Sequence, residues 1–151
     1  MSQNGLLRDG PETWYRHRVS YGETDTMGVL YYAEYLHIFE RARSQFIRET
    51  GLSYKDVESR GLFLPVREAQ CRYRHSAHYD DLLVIRTLVS EWKRASFVFR
   101  YEVYNQARTK LMADGFTQHA CVDGSGKPVA VPDWFHELFS KMKSNAEAEG
   151  R

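Results

Sequence analysis

The spacing of apolar residues predicts the first two elements of the fold. In residues 14–21 apolar and polar side chains alternate, which is typical of a half-buried strand. The period then becomes that of an amphipathic helix, which starts near residues 30–32 and stops before Gly51, a residue suited to a left-handed C-terminal cap. The apolar stripe of this helix comprises Tyr32, Tyr35, Leu36, Phe39, Ala42 and Phe46.

Four further strands follow the helix, because the apolar period falls to two and stays there. They are predicted at residues 62–73, 80–92, 97–103 and 112–123. A change of parity between Val66 and Ala69 indicates a bulge in the first of these strands. In the last strand, Ala113 and Gly115 form a small-residue patch that a helix can approach closely. One long apolar helix and five strands predict an α+β fold, in which a curved antiparallel sheet wraps around that helix.

The chain is expected to form one domain. It has 151 residues and contains no internal repeat or linker. We predict a flexible arm at 1–13, the domain at 14–143 and a disordered tail at 144–151. Pro132 opens a short terminal helix within the domain. The apolar anchors of that helix are Trp134, Phe135, Leu138 and Phe139.

Composition narrows the classes of function. A net charge of +1 provides no strong field for a phosphate backbone, so nucleic acid is not an expected partner. Cys71 and Cys121 fit no metal-ligand spacing and are expected to be reduced core residues, with one disulfide as the alternative. No apolar segment near Met1 resembles a signal, and none is long enough to span a bilayer. We therefore expect a cytoplasmic protein without membrane insertion.

The candidate chemistry lies between the first strand and the helix. Asp25 is part of a turn-like segment that ends at Gly28 and leads into the helix start. Free N–H groups and the positive end of the helix dipole can stabilise an oxyanion there. A carboxylate beside such donors can act as nucleophile or general base on an acyl carbon. The alternative is that Asp25 or Thr24 caps the helix.

Several short motifs resemble those of the 4-hydroxybenzoyl-CoA thioesterase family. The main one is YGETDTMGVLYYAEY at 21–35, where an Asp is followed after two residues by Gly and then by an aromatic pair. The others are ERAR at 40–43, YDDL at 79–82, KRASF at 93–97 and DGSGKP at 123–128. They occur in the right order over nearly the whole chain. The resemblance implies a hotdog fold and hydrolysis of an acyl-CoA thioester, without a cofactor because CoA is part of the substrate.

The resemblance also implies roles for residues near the helix start. Asp25 matches the aspartate that attacks the thioester carbonyl or activates water, and Tyr32 matches the position whose backbone N–H polarises that carbonyl. A related branch has His at the Tyr32 position, so this chain keeps the backbone donor but not a side-chain acid or base. Tyr21 matches a tyrosine of that branch and is expected to orient the carboxylate; the alternative is a core-facing strand tyrosine. Gly28 and Val29 are expected to contact the substrate.

A second group of predicted substrate contacts lies in the turn between two strands. In the family the turn that corresponds to Lys93 and Arg94 lies near bound CoA, and flexible cations suit its phosphates. Ser96 is expected to present backbone groups to the pantetheine arm. The alternative is an ordinary charged hairpin turn.

No metal site is predicted. His75 and His78, followed by Asp80 and Asp81, suggest metal ligands, but no Cys or further close His completes a coordination shell. His37 lies next to the apolar stripe and is interpreted as a satisfied helix histidine.

Two other functions, and a different catalytic residue for the same function, compete with hydrolysis by Asp25. An acyl-CoA hydratase usually pairs the Asp with a His a few residues later, and residues 26–36 contain no histidine. A non-catalytic acyl-CoA sensor would need no carboxylate at the helix start. A third possibility places the catalytic carboxylate on the helix at Glu34 or Glu40, as in a second type of hydroxybenzoyl thioesterase. The acyl group, whether aryl, short or longer chain, stays open.

Assembly is also predicted. A sheet curled around one helix has open edges, and the strand at 97–104 carries aromatics on both faces, Tyr101 on one and Tyr104 on the other. The resemblance implies a homodimer whose sheets join edge to edge, doubled to a homotetramer, with the active sites at the dimer seam.

Overall fold

Five strands and three helices make up the part of the chain that the structure, a computed structural model, describes: residues 10–148. The strands are β1 (Glu12–Arg18), β2 (Val66–Tyr73), β3 (Leu82–Trp92), β4 (Ser96–Asn105) and β5 (Leu111–Ala120). The helices are α1 (Glu34–Glu49), α2 (Tyr54–Ser59) and α3 (Asp133–Ala148). Neighbouring strands are antiparallel in the order β1-β3-β4-β5-β2, so the first two strands in sequence form the two edges. The predicted α+β arrangement is confirmed.

The long helix α1 is buried on the side that packs against the sheet. Phe39 is completely buried and stacks on Tyr101 of β4, with 4.2 Å between ring centroids. Two members of the predicted stripe, Tyr32 and Leu36, are instead exposed. Because α1 begins only at Glu34, Tyr32 lies ahead of it in a turn and Leu36 lies in its first turn. The buried positions of α1 are Tyr35, Ile38, Phe39, Ala42, Phe46 and Ile47.

Two local predictions about the sheet are confirmed. A Cβ atom on Gly115 would collide with the carbonyl oxygen of Gln70 and come within 3.0 Å of the Phe39 ring, so this small residue allows α1 to lie close to the sheet. The bulge in β2 is present as well, because its pairing with β5 shifts register between Val66 and Glu68.

The two edges of the sheet differ in burial. Along β1 buried and more exposed residues alternate, with Thr13 and His17 buried. In β2 every residue is exposed except Cys71, which is half-buried. Both cysteines are free, as predicted, and Cys121 is buried. Both edge strands have backbone groups that can accept another strand. The more exposed of the two, β2, is called the open edge below.

The ends of the predicted domain differ slightly from the observed elements. The strand β1 starts at Glu12, within the predicted arm at 1–13, and residues 1–9 of that arm lie outside the described residues. At the other end α3 extends to Ala148, five residues into the predicted tail at 144–151, of which residues 149–151 lie outside the described part. None of the helices within residues 10–148 combines the length and apolar character that a membrane span requires.

Candidate active site

The segment that follows β1 folds into a small closed loop around Asp25. A 3-10 turn at Tyr21–Glu23 leads into it, and an isolated bridge between Thr24 and Leu30 closes it. At the tip, the Asp25 N–H donates to the Val29 carbonyl and the Gly28 N–H donates to the Asp25 carbonyl, both at 2.9 Å. Gly28 has φ +80°, a left-handed conformation that favours glycine, which explains the small residue at this position.

The carboxylate of Asp25 is held by main-chain donors. Its Oδ1 accepts hydrogen bonds from the Met27 N–H at 2.9 Å and from the Val29 N–H at 3.3 Å. Within residues 10–148, no protein donor lies within hydrogen-bonding distance of Oδ2. The capping alternative is wrong, because the N-cap position of α1 is Ala33. Asp25 is thus oriented by its own loop and keeps one oxygen available.

An open cleft of about 520 Å³ lies beside this carboxylate. The connection from β2 to β3 closes against the loop, since the Leu30 N–H donates to the Ala77 carbonyl at 2.8 Å. This packing brings the end of β2 next to the helix start. The lining residues are Asp25, Val29, Leu30, Tyr32, Tyr35, Tyr73, Arg74, His75 and Ser76.

The cleft is lined both by residues that the sequence predicts for the site and by residues that it does not. Asp25, Val29 and Tyr32 were predicted, and Gly28 lies next to them in the loop. The residues from the end of β2 onward, 73–76, were not assigned to the site. Their proximity depends on β2 pairing with β5 at the far edge of the sheet, a long-range contact for which no local motif gives a signal.

The main chain at Tyr32 presents an unpaired donor at the helix start. The neighbouring Tyr31 N–H donates to the Glu23 carbonyl at 2.9 Å. For the Tyr32 N–H, by contrast, no acceptor lies within hydrogen-bonding distance in the described chain. The Tyr32 carbonyl is fixed by the hydroxyl of Tyr73, which donates to it at 3.0 Å. The free N–H lies at the positive end of the α1 dipole, a suitable environment for an oxyanion.

Aromatic rings form the wall of the cleft. The ring of Tyr73 makes edge contacts with Tyr35 and Tyr32, at centroid distances of 5.1 and 6.3 Å. Burial raises the pKa of Tyr35 to about 12, and burial together with the neighbouring Cys71 raises the pKa of Tyr73 to about 12. Both phenols are therefore neutral at physiological pH and can donate hydrogen bonds, as Tyr73 does.

Tyr21 lies outside the cleft. It starts the 3-10 turn, is 78% exposed and makes an edge contact with Tyr79 at 5.7 Å. The alternative of a core-facing strand tyrosine is wrong, because β1 ends at Arg18 and the chain turns before Tyr21. Within residues 10–148 its hydroxyl makes no hydrogen bond to Asp25.

The predicted CoA contacts lie at the opposite end of the sheet. Lys93, Arg94 and Ser96 belong to the β3–β4 turn, which the Lys93 N–H closes by donating to the Ser96 carbonyl at 2.8 Å. The Asp25 loop follows Arg18, which pairs with Leu82 at the other end of β3. The 11 residues of β3 span about 35 Å. Within one chain these residues and Asp25 therefore do not meet.

The other candidate groups form no site of their own. No group of three or more His, Cys, Asp or Glu residues within the described range is arranged to hold a metal ion. His78 lies 3.9 Å from Asp81. His37 is exposed and lies 3.5 Å from Glu40, and neither Glu34 nor Glu40 lines the cleft, which does not favour a catalytic carboxylate on the helix.

Comparison with known proteins decides the family. The sequence profile of the thioesterase-like superfamily matches residues 19–139. The chain belongs to this superfamily. It is 37% identical over 128 residues to the acyl-CoA thioesterase YbgC of Haemophilus influenzae, covering 83% of this chain and 93% of that protein.

Solved structures of the thioesterase-like superfamily share the fold. A DHNA-CoA thioesterase from Staphylococcus aureus superimposes with a TM-score of 0.78 at 32% identity, covering 93% of this chain and 95% of that one. The 4-hydroxybenzoyl CoA thioesterase from Pseudomonas sp. strain CBS-3 superimposes with a TM-score of 0.76 at 26% identity, covering 85% and 99%. The predicted hotdog fold and the assignment to the thioesterase enzymes are confirmed.

Proposed function

We propose that this thioesterase-superfamily enzyme hydrolyses acyl-CoA thioesters with Asp25 as the catalytic carboxylate. One observation carries the proposal: a carboxylate with an available oxygen and an unpaired helix-start N–H border the same cleft. A carbonyl between them would have its carbon open to attack and its oxygen opposite a hydrogen-bond donor. The acyl-CoA thioesterase activity named for YbgC of Haemophilus influenzae is consistent with this chemistry.

The reaction has two possible routes through Asp25. As general base, the carboxylate takes a proton from water, whose oxygen attacks the thioester carbon; as nucleophile, it attacks directly and the resulting anhydride is hydrolysed by water. In both routes the carbonyl oxygen becomes an oxyanion, which the Tyr32 N–H stabilises. The tetrahedral intermediate collapses, the C–S bond breaks and CoA leaves as a thiolate. In the general-base route the thiolate takes up the proton that Asp25 removed from water, and in the nucleophilic route it takes up a proton from the water that hydrolyses the anhydride. The products are the free acid and CoA.

We propose further that the complete site requires two copies of the chain. A substrate that contacts Asp25 and also the expected phosphate contacts Lys93 and Arg94 would not fit within one copy, because these groups are at opposite ends of the sheet. Antiparallel pairing of the open edge β2 with its own copy would bring the Tyr73 end of one strand beside the Val66 end of the other. We expect this homodimer, doubled to a tetramer, to act in the cytoplasm.

A second cleft supports this arrangement. It has a volume of about 420 Å³, and Phe63, Leu64 and Pro65, which immediately precede β2, form part of its wall together with the 123–126 turn. In the proposed dimer, this cleft of one copy would continue the Asp25 cleft of the other. Such continuity would give the pantetheine arm a path from the carbonyl site toward the partner's cations.

The decisive experiment follows release of CoA with a thiol reagent. Acetyl-, hexanoyl-, palmitoyl- and benzoyl-CoA serve as probes, and Asp25→Asn serves as the matched inactive variant. We expect thiol release from at least one probe with the wild-type chain and a large loss with the variant. Binding of a probe without thiol release by the wild-type chain would contradict the proposal and favour the sensor function.

A further inference from the structure

A buried polar cluster lies directly behind the Asp25 loop. Its members are His17 from β1, Glu23 from the 3-10 turn and Arg41 from α1. Glu23 is only 9% exposed and His17 only 7%. A buried carboxylate is unfavourable unless it is paired and hydrogen-bonded, and the hydrolytic steps described above use none of these three side chains. The cluster therefore needs an explanation of its own.

The carboxylate of Glu23 is held from three sides. Its Oε1 accepts from the Ser20 N–H at 2.8 Å and from His17 Nε2 at 2.9 Å. Arg41 Nη1 lies 3.8 Å from Oε2 and 3.4 Å from His17 Nδ1. A guanidinium can only donate, so His17 Nδ1 accepts and its Nε2 carries the proton donated to Glu23. Burial alone would raise the pKa of Glu23, but the hydrogen bonds from Ser20 and His17 outweigh it and lower the pKa, which keeps the group ionised.

The main chain of Glu23 holds the other side of the same loop. Its carbonyl accepts from the Tyr31 N–H at 2.9 Å, one residue outside the bridge between Thr24 and Leu30. Asp25 follows Glu23 by two residues, and Tyr32 follows Tyr31 directly. The side chain of Glu23 is thus fixed to β1 and α1. Its backbone connects the two sides of the loop, the segment before Asp25 and the segment before Tyr32.

We propose that Glu23, held by His17 and Arg41, is a positioning residue that sets the placement of the Asp25 carboxylate relative to the Tyr32 N–H. This inference rests on the proposed hydrolysis at Asp25. Displacement of reacting groups by about 1 Å can lower a rate by roughly a hundredfold. A rigid anchor at the base of the loop limits such displacement without contact to the substrate.

The test is Glu23→Gln, which keeps the shape of the side chain and removes its charge. We expect kcat to fall about tenfold with KM within about twofold, because the reacting groups shift while the binding surface is kept. The same loss should appear with the best acyl-CoA probe and with the corresponding N-acetylcysteamine thioester. The matched control is Ile47→Val, a truncation in the buried core of α1, which should lower Tm without changing kcat below the melting transition.

A second variant covers the case in which Glu23→Gln does not fold. Arg41 has a side chain that is 41% exposed, so Arg41→Gln is expected to fold and to lower kcat about threefold. In the double variant the two losses should be non-additive, with kcat within about twofold of Glu23→Gln alone, because both act through one contact.

The outcomes separate this inference from the proposed function. Unchanged kcat in Arg41→Gln and in folded Glu23→Gln would overturn the positioning role, as would a raised KM with unchanged kcat or additive losses. If Asp25→Asn were inactive while the Glu23 variant kept full kcat, only the positioning role would fail. If Asp25→Asn kept its turnover, the proposed function itself would fail.

Discussion

The two ends of the sheet carry different kinds of polar group. At one end, a half-buried carboxylate is held by the N–H groups of Met27 and Val29 beside an aromatic cleft. At the other, Lys93 and Arg94 lie on an exposed turn, and the nearest acid to the Lys93 ammonium is Glu91 at 3.5 Å. These donors fix the carboxylate, and the unpaired Tyr32 N–H nearby suits a reacting carbonyl, whose position must be maintained. Flexible cations suit phosphates, which need charge more than fixed geometry.

Under the proposed mechanism, neither end alone forms a complete site. A site with the Asp25 carboxylate but no phosphate contacts would bind CoA weakly. A site with phosphate contacts but no carboxylate would bind CoA without hydrolysing its thioester. The strand β2 runs between these two ends of the sheet. Its antiparallel pairing with a second copy can therefore bring the Asp25 end of one copy beside the Lys93 end of the other. The predictions below change residues at one end of the sheet or at both.

The largest effect is expected from Asp25→Asn. The amide keeps an Oδ1 that accepts from Met27 and Val29, so the loop should keep its shape while the basic oxygen is lost. Turnover should fall on the order of 10²-fold or more. Thiol release measures the loss, and an unchanged Tm is the control for folding. Near-normal turnover would mean that Asp25 only shapes its loop.

The second prediction concerns a buried hydrogen-bond chain at the far end. The Tyr101 hydroxyl contacts Thr117 Oγ1 at 2.6 Å, which contacts His119 Nε2 at 2.8 Å, and His119 Nδ1 contacts the Leu64 carbonyl at 3.0 Å. A carbonyl only accepts, so Nδ1 carries the proton and Nε2 accepts from Thr117. Burial lowers the pKa of His119 to about 4, and the folded chain keeps this ring neutral.

Acid should therefore destabilise the protein through His119. In the unfolded chain the imidazole takes up a proton below about pH 6.5, whereas in the folded chain it does so only near pH 4. Stability is thus lost as pH falls through that window, by about 1.5 kcal/mol between pH 6.5 and 5. His119→Gln should flatten this part of the denaturant-derived stability curve. An equal slope in both proteins would show that another group is responsible.

Neutralising the exposed cations should act on binding. For Lys93→Gln with Arg94→Gln, we expect KM for acyl-CoA to rise about tenfold with a smaller change in kcat, because phosphate contacts contribute equally to the ground and transition states. A thioester truncated at pantetheine should show little effect. The matched control removes the same charge from exposed helical positions, Arg48→Gln with Lys55→Gln, and should leave KM unchanged. Equal losses on both substrates would place the phosphate contacts elsewhere.

Mixing the Asp25→Asn chain with the Lys93→Gln, Arg94→Gln chain tests whether the two ends of one site come from different copies. A dimer of an Asp25→Asn chain with a Lys93→Gln, Arg94→Gln chain has one site in which both ends are intact. Random exchange should therefore restore about a quarter of the wild-type sites. Recovery of activity after mixing, assayed at an acyl-CoA concentration well below the wild-type KM, measures this effect, because there the raised KM of the Lys93→Gln, Arg94→Gln chain lowers its own turnover. A monomeric sedimentation mass with full activity at the assay concentration would contradict shared sites.

The smallest effect is expected from Tyr73→Phe at the Asp25 end. The change removes the hydrogen bond from the Tyr73 hydroxyl to the Tyr32 carbonyl and keeps the ring that packs on Tyr35. We expect kcat to fall about threefold, in line with about 0.5–1 kcal/mol for one neutral hydrogen bond. Tyr79→Phe, another exposed tyrosine beside the loops, is the control and should have no effect. Equal values for both variants would show that the Tyr32 peptide needs no such support.

The sequence by itself determined the elements and where Asp25 lies relative to them. Alternation and helical spacing indicate which side of each local segment is buried. That side is the same whichever other segments pack against it in the fold. The bulge after Val66, the close approach at Gly115 and the position of Asp25 just before the helix could therefore be predicted. The predicted stripe of α1 was wrong at Tyr32 because a period does not mark where a helix begins.

Only the tertiary structure decided which residues share a site. The end of β2 reaches the Asp25 loop because β2 pairs with β5 at the far edge of the sheet, and this register arises from contacts distant in sequence. Tyr73 and His75 could not be assigned from their neighbours for that reason. The same topology separates Lys93 from Asp25 by the length of β3, although the motifs that contain them belong to one family. The spacing of apolar residues within a segment determines which side chains are buried, whereas the order of strands in the sheet determines which distant residues lie close together.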